Sequence, residues 1–165
     1  MWHSHVLKPG MRVLDLACGT GRHSIAAAAR GCYVTSIDKD ASRFKEAKEY
    51  CASKNHNVEW LTEDLKTYQL EKNAYDMVVI FNYLDRDRWE DFKAAIKPGG
   101  FLLCETFTEW QRAQGWGPTS DDHLLKSGEL TQMIEPFDLI LGRDVLEMVD
   151  GRSMAAASAF ARRPE

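Results

Sequence analysis

The chain has 165 residues, of which 44% are hydrophobic and 28% charged, and its formal net charge is −4. This size and composition are typical of one compact domain, so we expect residues 1–165 to form a single domain. The chain lacks the basic excess of nucleic-acid binders and any apolar run long enough to span a membrane. We therefore expect no nucleic-acid partner and no membrane segment, and the lack of a signal-peptide pattern predicts a cytoplasmic location.

The predicted elements alternate along the chain. Short runs rich in β-formers predict strands over residues 11–17, 33–37, 57–61, 75–81 and 101–107. Helical spacing of apolar residues predicts helices over residues 19–30, 40–51, 86–96 and 128–134, the second of them capped by Asp40. Residues 97–100 (KPGG) predict a turn. Two further strands, over residues 137–149 and 154–162, flank a hairpin signal at Asp150-Gly151.

This alternation predicts the fold class. Strands that alternate with helices form a parallel sheet covered on both faces, and the closing hairpin adds an antiparallel element at one edge. We therefore expect an α/β fold with a doubly wound, Rossmann-like, seven-stranded, mostly parallel sheet and a C-terminal antiparallel hairpin. Residues 108–123 are polar and aperiodic, which favours a functional loop. Its Trp110 and Trp116 either shield a site as a lid or pack the loop onto the sheet edge.

The chemistry centres on residues 13–22 (VLDLACGTGR), where a buried strand enters a glycine-rich turn that opens a helix. Glycines let the backbone approach a ligand, and the helix start offers unsatisfied N–H groups. Asp15 stands where a dinucleotide fold keeps an apolar residue, and a carboxylate there suits a cationic amine. Asp38 ends the second strand, a position that accepts hydrogen bonds from ribose hydroxyls in doubly wound folds. Ser24 replaces the third glycine of the dinucleotide fingerprint.

These residues belong to a longer series of motifs. The pattern Asp15-x-x-x-Gly19-x-Gly21, Asp38, Asp64, the strand over residues 76–79 and the KPGG turn together resemble the motif series of class I S-adenosylmethionine-dependent methyltransferases over residues 11–107. More narrowly, residues 81–84, 105–107 and 124–130 are similar to small bacterial methyltransferases of the tellurite-resistance and thiopurine methyltransferase group.

The resemblance implies a set of cofactor-binding residues: Asp15, Ala17, Gly19, Thr20, Gly21, Arg22, Asp38, Lys39, Asp64, Leu65, Phe81 and Asn82. Gly19 and Gly21 would line the methionine part of S-adenosylmethionine. Its amino group would lie near Asp15 and the backbone carbonyl of Phe81.

For the adenosine part, the resemblance implies that Asp38 binds the ribose, with Lys39 beside the adenine. Asp64 would accept a hydrogen bond from the adenine amine, and Leu65 would pack on the ring.

The resemblance also implies an enzyme that transfers a methyl group to a small-molecule acceptor by in-line displacement, with the cofactor supplying the activated carbon. The candidate catalytic or substrate-contacting residues are Tyr83, Glu105 and His123, which follow the fourth strand, lie in the fifth and close the long loop. No cluster in the sequence predicts a metal site.

Two alternatives remain open from the sequence. A nucleotide-dependent oxidoreductase is disfavoured by Asp15 and by the missing third glycine. A non-catalytic S-adenosylmethionine-binding partner subunit is kept open by the N-terminus, because about ten residues precede the first strand whereas such families carry one or two helices there. Cap helices that are short or missing would leave one side of the cleft uncovered, and a homodimer could close it.

Overall fold

The computed structural model describes residues 4–165, and for Ser4 the backbone alone. Within this range seven strands form one sheet: β1 (Arg12–Leu16), β2 (Tyr33–Asp38), β3 (Val58–Thr62), β4 (Tyr75–Phe81), β5 (Ile96–Phe107), β6 (Asp138–Val149) and β7 (Arg152–Arg162). Four helices connect them: α1 (Arg22–Ala28), α2 (Lys45–Ser53), α3 (Trp89–Ala94) and α4 (Glu129–Ile134). Short 3-10 helices occur at Ser4–Val6, Glu109–Gln114 and Asp121–His123.

The strand order is β3-β2-β1-β4-β5-β7-β6. Strands β1 to β5 pair in parallel, whereas β7 inserts between β5 and β6 and is antiparallel to both. This arrangement confirms the predicted seven-stranded sheet with a C-terminal antiparallel hairpin. The chain order reverses between β1 and β4, and open α/β sheets bind ligands at the carboxyl ends of the strands beside such a reversal.

The core lies on both faces of the sheet, as the continuous apolar strands predict. On one face, Leu14 and Leu16 of β1 pack with a cluster that includes Phe92 of α3 and Ile134 of α4. On the other face, Val13 packs with Ala27 and Ala28 of α1 among other apolar side chains. Among the described residues, no helix is long and apolar enough to cross a membrane.

Two local predictions were wrong. Asp40 does not cap a helix: α2 begins at Lys45, and the Asp40 carboxylate instead accepts hydrogen bonds from the backbone N–H and the hydroxyl of Ser42, at 3.0 and 2.6 Å. The KPGG segment lies within β5 and does not precede it: Ile96 pairs with Tyr75 and Phe101 with Met77, so residues 97–100 form an irregularity in the strand. Gly99, with φ of +76°, lets the strand shift register there without ending.

Candidate functional site

A cavity of about 590 Å³ opens at the carboxyl ends of β1, β2, β4 and β5, beside the reversal in strand order. The structure brings nearly all of the predicted site residues to its wall. Those that line it are Asp15, Ala17, Gly19, Thr20, Arg22, Asp38, Lys39, Asp64, Leu65, Phe81, Asn82, Tyr83 and His123. Gly21 and Glu105, which the sequence also predicts, do not line it.

Asp38 anchors the glycine-rich turn. Its side chain is almost fully buried, and one carboxylate oxygen accepts a 2.8 Å hydrogen bond from the backbone N–H of Gly19. The other oxygen accepts from the backbone N–H of Asp40 at 3.0 Å. Since ionised groups make strong hydrogen bonds, these contacts fix the turn between β1 and α1 relative to the end of β2.

Arg43 is a cavity residue that the sequence did not reveal. Its guanidinium lies 3.8 Å from the Asp38 carboxylate, and a Cβ added at Gly19 would come within 3.1 Å of it. The short irregular segment before α2 positions this side chain, whereas the sequence predicted a regular helix from Asp40. Because the sequence predicted a helix there, it did not indicate that Arg43 reaches both Asp38 and the glycine-rich turn.

Gly21 serves packing. Its φ is +78°, and an added Cβ would lie 2.8 Å from the Trp60 ring and 2.9 Å from the Ala47 side chain. A side chain at position 21 would fit only if β3 and α2 both moved away from the glycine-rich turn. Gly21 does not line the cavity, and the close approach of Trp60 and Ala47 accounts for a glycine at this position.

Asp15 lies beneath the turn, on the face of β1 that α1 covers. Only 2% of its surface is exposed, and its carboxylate accepts a 2.6 Å hydrogen bond from the Ser24 hydroxyl. Ser24 in turn lies 2.6 Å from the Ser36 hydroxyl on β2. Burial raises the pKa of Asp15 to about 7, and the Ser24 bond and the positive charge of Arg22 oppose that rise only in part.

Ala17 and Asn82 hold the backbone in the left-handed region, with φ of +53° and +55°. They follow β1 and β4, the two strands at the reversal, and both line the cavity. Residues other than glycine seldom adopt this conformation, and such strain is concentrated at binding sites.

The β4 end of the cavity carries Tyr83. Its hydroxyl donates a hydrogen bond to Asp85 at 3.4 Å, and the Lys66 ammonium lies 3.4 Å from the same carboxylate oxygen. Burial, followed by the negative charge of Asp85, raises the pKa of Tyr83 to about 12. Tyr83 therefore stays neutral at physiological pH, and its oxygen retains a lone pair for a hydrogen bond from another molecule.

Glu105 lies outside the cavity. Its carboxylate is 3.8 Å from the guanidinium of Arg143 on β6, and burial raises its pKa. Neighbouring residues in a strand point to opposite faces, so that Thr106, the next residue, lines the cavity in its place. The prediction of Glu105 as a catalytic residue is therefore not supported by its position.

Comparison with known proteins identifies the family. A family model described as a methyltransferase domain matches residues 13–100, which is more than half of the chain. The chain belongs to the methyltransferase domain family. This range contains the glycine-rich turn and most of the cavity wall.

Two curated relatives illustrate the relationship. A putative methyltransferase, YqeM of Bacillus subtilis, is 33% identical over 122 residues, which cover 68% of this chain and 49% of the relative. A ubiquinone biosynthesis O-methyltransferase of Coxiella burnetii is 30% identical over 102 residues, which cover 59% of this chain and 44% of the relative. The chain thus spans about half the length of the curated relatives that it matches.

Solved structures share the fold. TehB from Haemophilus influenzae superposes with a TM-score of 0.82 at 20% identity, over 97% of this chain and 59% of TehB. An S-adenosylmethionine-dependent methyltransferase from Methanosarcina mazei superposes with a TM-score of 0.78 at 18% identity. The superposition covers 99% of this chain and 98% of that protein. At these identities the likenesses show a shared fold.

The loop over residues 108–123 packs on the sheet. The Trp116 indole N–H donates to the backbone carbonyl of Ser153 at 2.7 Å, and its ring stands edge-on to Phe107. The guanidinium of Arg152 lies 4.1 Å from the centre of the same ring. Trp110 is 68% exposed, and neither tryptophan lines the cavity. These contacts support packing on the sheet edge for Trp116, whereas the exposed Trp110 ring neither packs on the sheet nor covers the cavity.

Replacing Trp116 with Ala should lower the free energy of unfolding by about 1–2 kcal/mol, because a half-buried aromatic ring and its hydrogen bond are lost. Thermal unfolding followed by circular dichroism measures this change. The matched control is Trp110→Ala, which removes an exposed ring and should leave stability nearly unchanged. Equal destabilisation by both substitutions would contradict the packing role of Trp116.

Proposed function

We propose that the methyltransferase domain binds S-adenosylmethionine in this cavity and transfers its methyl group to a small-molecule acceptor. The observation that carries the proposal is the grouping of Asp15, Asp38 and Asp64 around the glycine-rich turn in one cavity. Asp38 ends β2, where a carboxylate can accept hydrogen bonds from ribose hydroxyls. Asp15 can accept from an ammonium group, at a position where a dinucleotide fold keeps an apolar residue.

The β2 and β3 side of the cavity fits the adenosine part. In the proposed complex the Asp38 carboxylate accepts hydrogen bonds from the ribose hydroxyls, next to Lys39. Asp64 accepts a bond from the adenine amine, and Leu65, which is buried, offers an apolar surface to the ring. Arg43 must then turn away from Asp38 or stack against the ligand, because its guanidinium lies 3.8 Å from that carboxylate.

The β1 and β4 side fits the amino-acid part. Gly19 has no side chain to obstruct it, and Asp15 and the Phe81 carbonyl offer acceptors for an ammonium group. Bound S-adenosylmethionine supplies a methyl carbon that is activated by its sulfonium sulfur. The protein's task is to hold that carbon in line with the acceptor, and such positioning lowers a barrier by as much as about 7–11 kcal/mol.

The acceptor is expected beyond Phe81, where Tyr83, Thr106, Phe107 and His123 line the cavity. Tyr83 can accept a hydrogen bond from an acceptor hydroxyl or amine. His123 is the candidate base there, because a neutral imidazole nitrogen can accept a proton from the methyl acceptor. A general base is needed only for an acceptor that arrives protonated.

The test begins with binding. Titration calorimetry should detect S-adenosylhomocysteine and no NAD, and radiolabelled S-adenosylmethionine with a panel of phenols, thiols and amines should yield methylated product. Binding without product for any acceptor would support the non-catalytic subunit instead. Binding of NAD alone would overturn the proposal.

A homodimer and a cytoplasmic location also remain proposals. The homodimer is supported by the open β6 edge of the sheet. The cytoplasmic location is compatible with the lack of a membrane-spanning helix among the described residues.

A further inference from the structure

The β6 edge of the sheet is unusually open. β6 runs for twelve residues, pairs with β7 and ends the sheet, so that one side of its backbone has no strand partner among residues 4–165. The opposite edge, β3, has only five residues. Proteins protect such edges by keeping them short, by bulges, by charged side chains and by Pro. β6 has an irregularity between Leu139 and Leu141 and four charged side chains, but it is long and contains no Lys and no Pro.

Apolar side chains are concentrated on the same strand. Most of the large hydrophobic side chains exposed among the described residues belong to β6: Leu139, Ile140, Leu141, Leu146 and Met148. Leu146 and Met148 are 63% and 67% exposed. Exposed apolar side chains on an unpaired edge are typical of a surface that another chain covers.

We propose that this edge is an interface between two copies of the chain, which pair through antiparallel β6 strands about a two-fold axis. An axis perpendicular to the sheet keeps each face on its own side, so only residues from the same face of β6 can lie opposite each other. Leu141, Arg143, Val145, Glu147 and Val149 share one face, as their register with β7 shows.

The order of these five side chains is self-complementary about Val145. With Val145 opposite its own copy, Arg143 lies opposite Glu147 of the second copy, and Leu141 lies opposite Val149. Directly opposed residues in an antiparallel pair interact strongly, and opposite charges are favourable there. Registers centred on Arg143 or on Asp144 would instead place identical charges face to face.

The other face of β6 tolerates the same register. Gly142 faces Met148 of the second copy, which leaves room for the longer side chain. Leu146 faces Asp144 and lies diagonal to its own copy, within reach of an apolar contact. Both faces of the strand are therefore compatible with one alignment.

The dimer leaves the cavity open. β7 and β6 lie beyond β5, so the pairing edge is on the far side from Asp38 and the glycine-rich turn. The interface thus does not supply the cover for the cleft that the sequence suggested as the purpose of a dimer, and it does not depend on the proposed function.

Charge reversal tests the register. Glu147→Arg creates two Arg-Arg oppositions per dimer, and Arg143→Glu creates two Glu-Glu oppositions. Each variant alone should dimerise at least about tenfold more weakly than the wild-type chain in analytical ultracentrifugation. An equimolar mixture should regain dimers, because every opposed pair is then Arg with Glu. Matched controls are Glu71→Arg and Arg12→Glu, which reverse charges in an exposed ion pair away from β6.

Several outcomes would overturn the interface. A wild-type chain that stays monomeric up to several hundred micromolar excludes it, and leaves another protein or a further segment as the partner of β6. This register is excluded if both charge-reversal variants dimerise as strongly as the wild-type chain. It is also excluded if the equimolar mixture does not form dimers. Amide hydrogen exchange of the wild-type chain gives a second measurement: β6 amides should gain protection as the concentration rises, and equal exchange at all concentrations contradicts the proposal.

Discussion

Replacing Asp38 with Ala should weaken S-adenosylhomocysteine binding by about 1–3 kcal/mol, or roughly 5- to 150-fold in Kd. Two losses add up. The proposed bonds to the ribose hydroxyls disappear, and the Gly19 N–H loses the carboxylate that it contacts at 2.8 Å. Because that contact fixes the glycine-rich turn, the amino-acid part of the ligand should also bind less well. Titration calorimetry measures the change.

The matched control is Asp40→Ala. Asp40 is two residues away, is exposed and does not line the cavity. Its substitution should leave the affinity within about twofold, since surface changes of this kind rarely exceed about 0.5 kcal/mol. Unchanged affinity in Asp38→Ala would refute the ribose assignment. Equal losses in both variants would indicate that the turn after β2, and not the Asp38 carboxylate, governs binding.

The sequence predicted the sheet well because its signals were local. Buried parallel strands are short and continuously apolar, so that the predicted strand over residues 75–81 coincides with β4. Asp38 was predicted as a site residue because it ends the second strand, a position that accepts hydrogen bonds from ribose hydroxyls in doubly wound folds. The hairpin after β6 was predicted from Asp150-Gly151 because that dipeptide adopts the positive φ values that a tight turn requires.

The features that the sequence missed depend on contacts between distant segments. The sequence did not indicate that Gly21 lies against the ring of Trp60, which is far along the chain. Glu105 and Thr106 are adjacent, and only the pleat of β5 determines which of them reaches the cavity. Trp116 is held by Ser153 and Arg152, which the C-terminal hairpin brings to it. Periodicity within one segment carries no information about such contacts.

Asp15 should make the stability of the protein depend on pH. The pKa of its carboxyl is about 7 in the folded protein, against an ordinary value of 3.8 for an aspartate, so the folded state holds this proton more tightly than the unfolded chain. Its contribution to stability is therefore fully present below about pH 4 and is lost as the pH rises through 7. A shift of this size corresponds to about 4 kcal/mol, an upper figure for a buried carboxylate.

Asp15→Asn removes this titration and keeps the shape of the side chain, including an oxygen that can accept from Ser24. Above pH 7 the variant should be more stable than the wild type by about 1–3 kcal/mol, because no charge is buried. Urea unfolding at pH 5 and pH 8 measures the difference, which should be smaller at pH 5. An equal pH dependence in the two proteins would contradict the raised pKa.

The same substitution should weaken cofactor binding. If the ionised Asp15 supports the ammonium of S-adenosylhomocysteine, wild-type affinity rises between pH 5.5 and 7.5 as the carboxyl loses its proton, and Asn at this position abolishes that rise. Ser24→Ala is the informative companion, because it removes the 2.6 Å bond to Asp15 and leaves the carboxylate in place. Its binding profile should keep the rise but shift it to higher pH, since the Ser24 bond lowers the pKa of Asp15. A wild-type affinity that is flat across this range would show that Asp15 stabilises the glycine-rich turn without taking part in ligand binding.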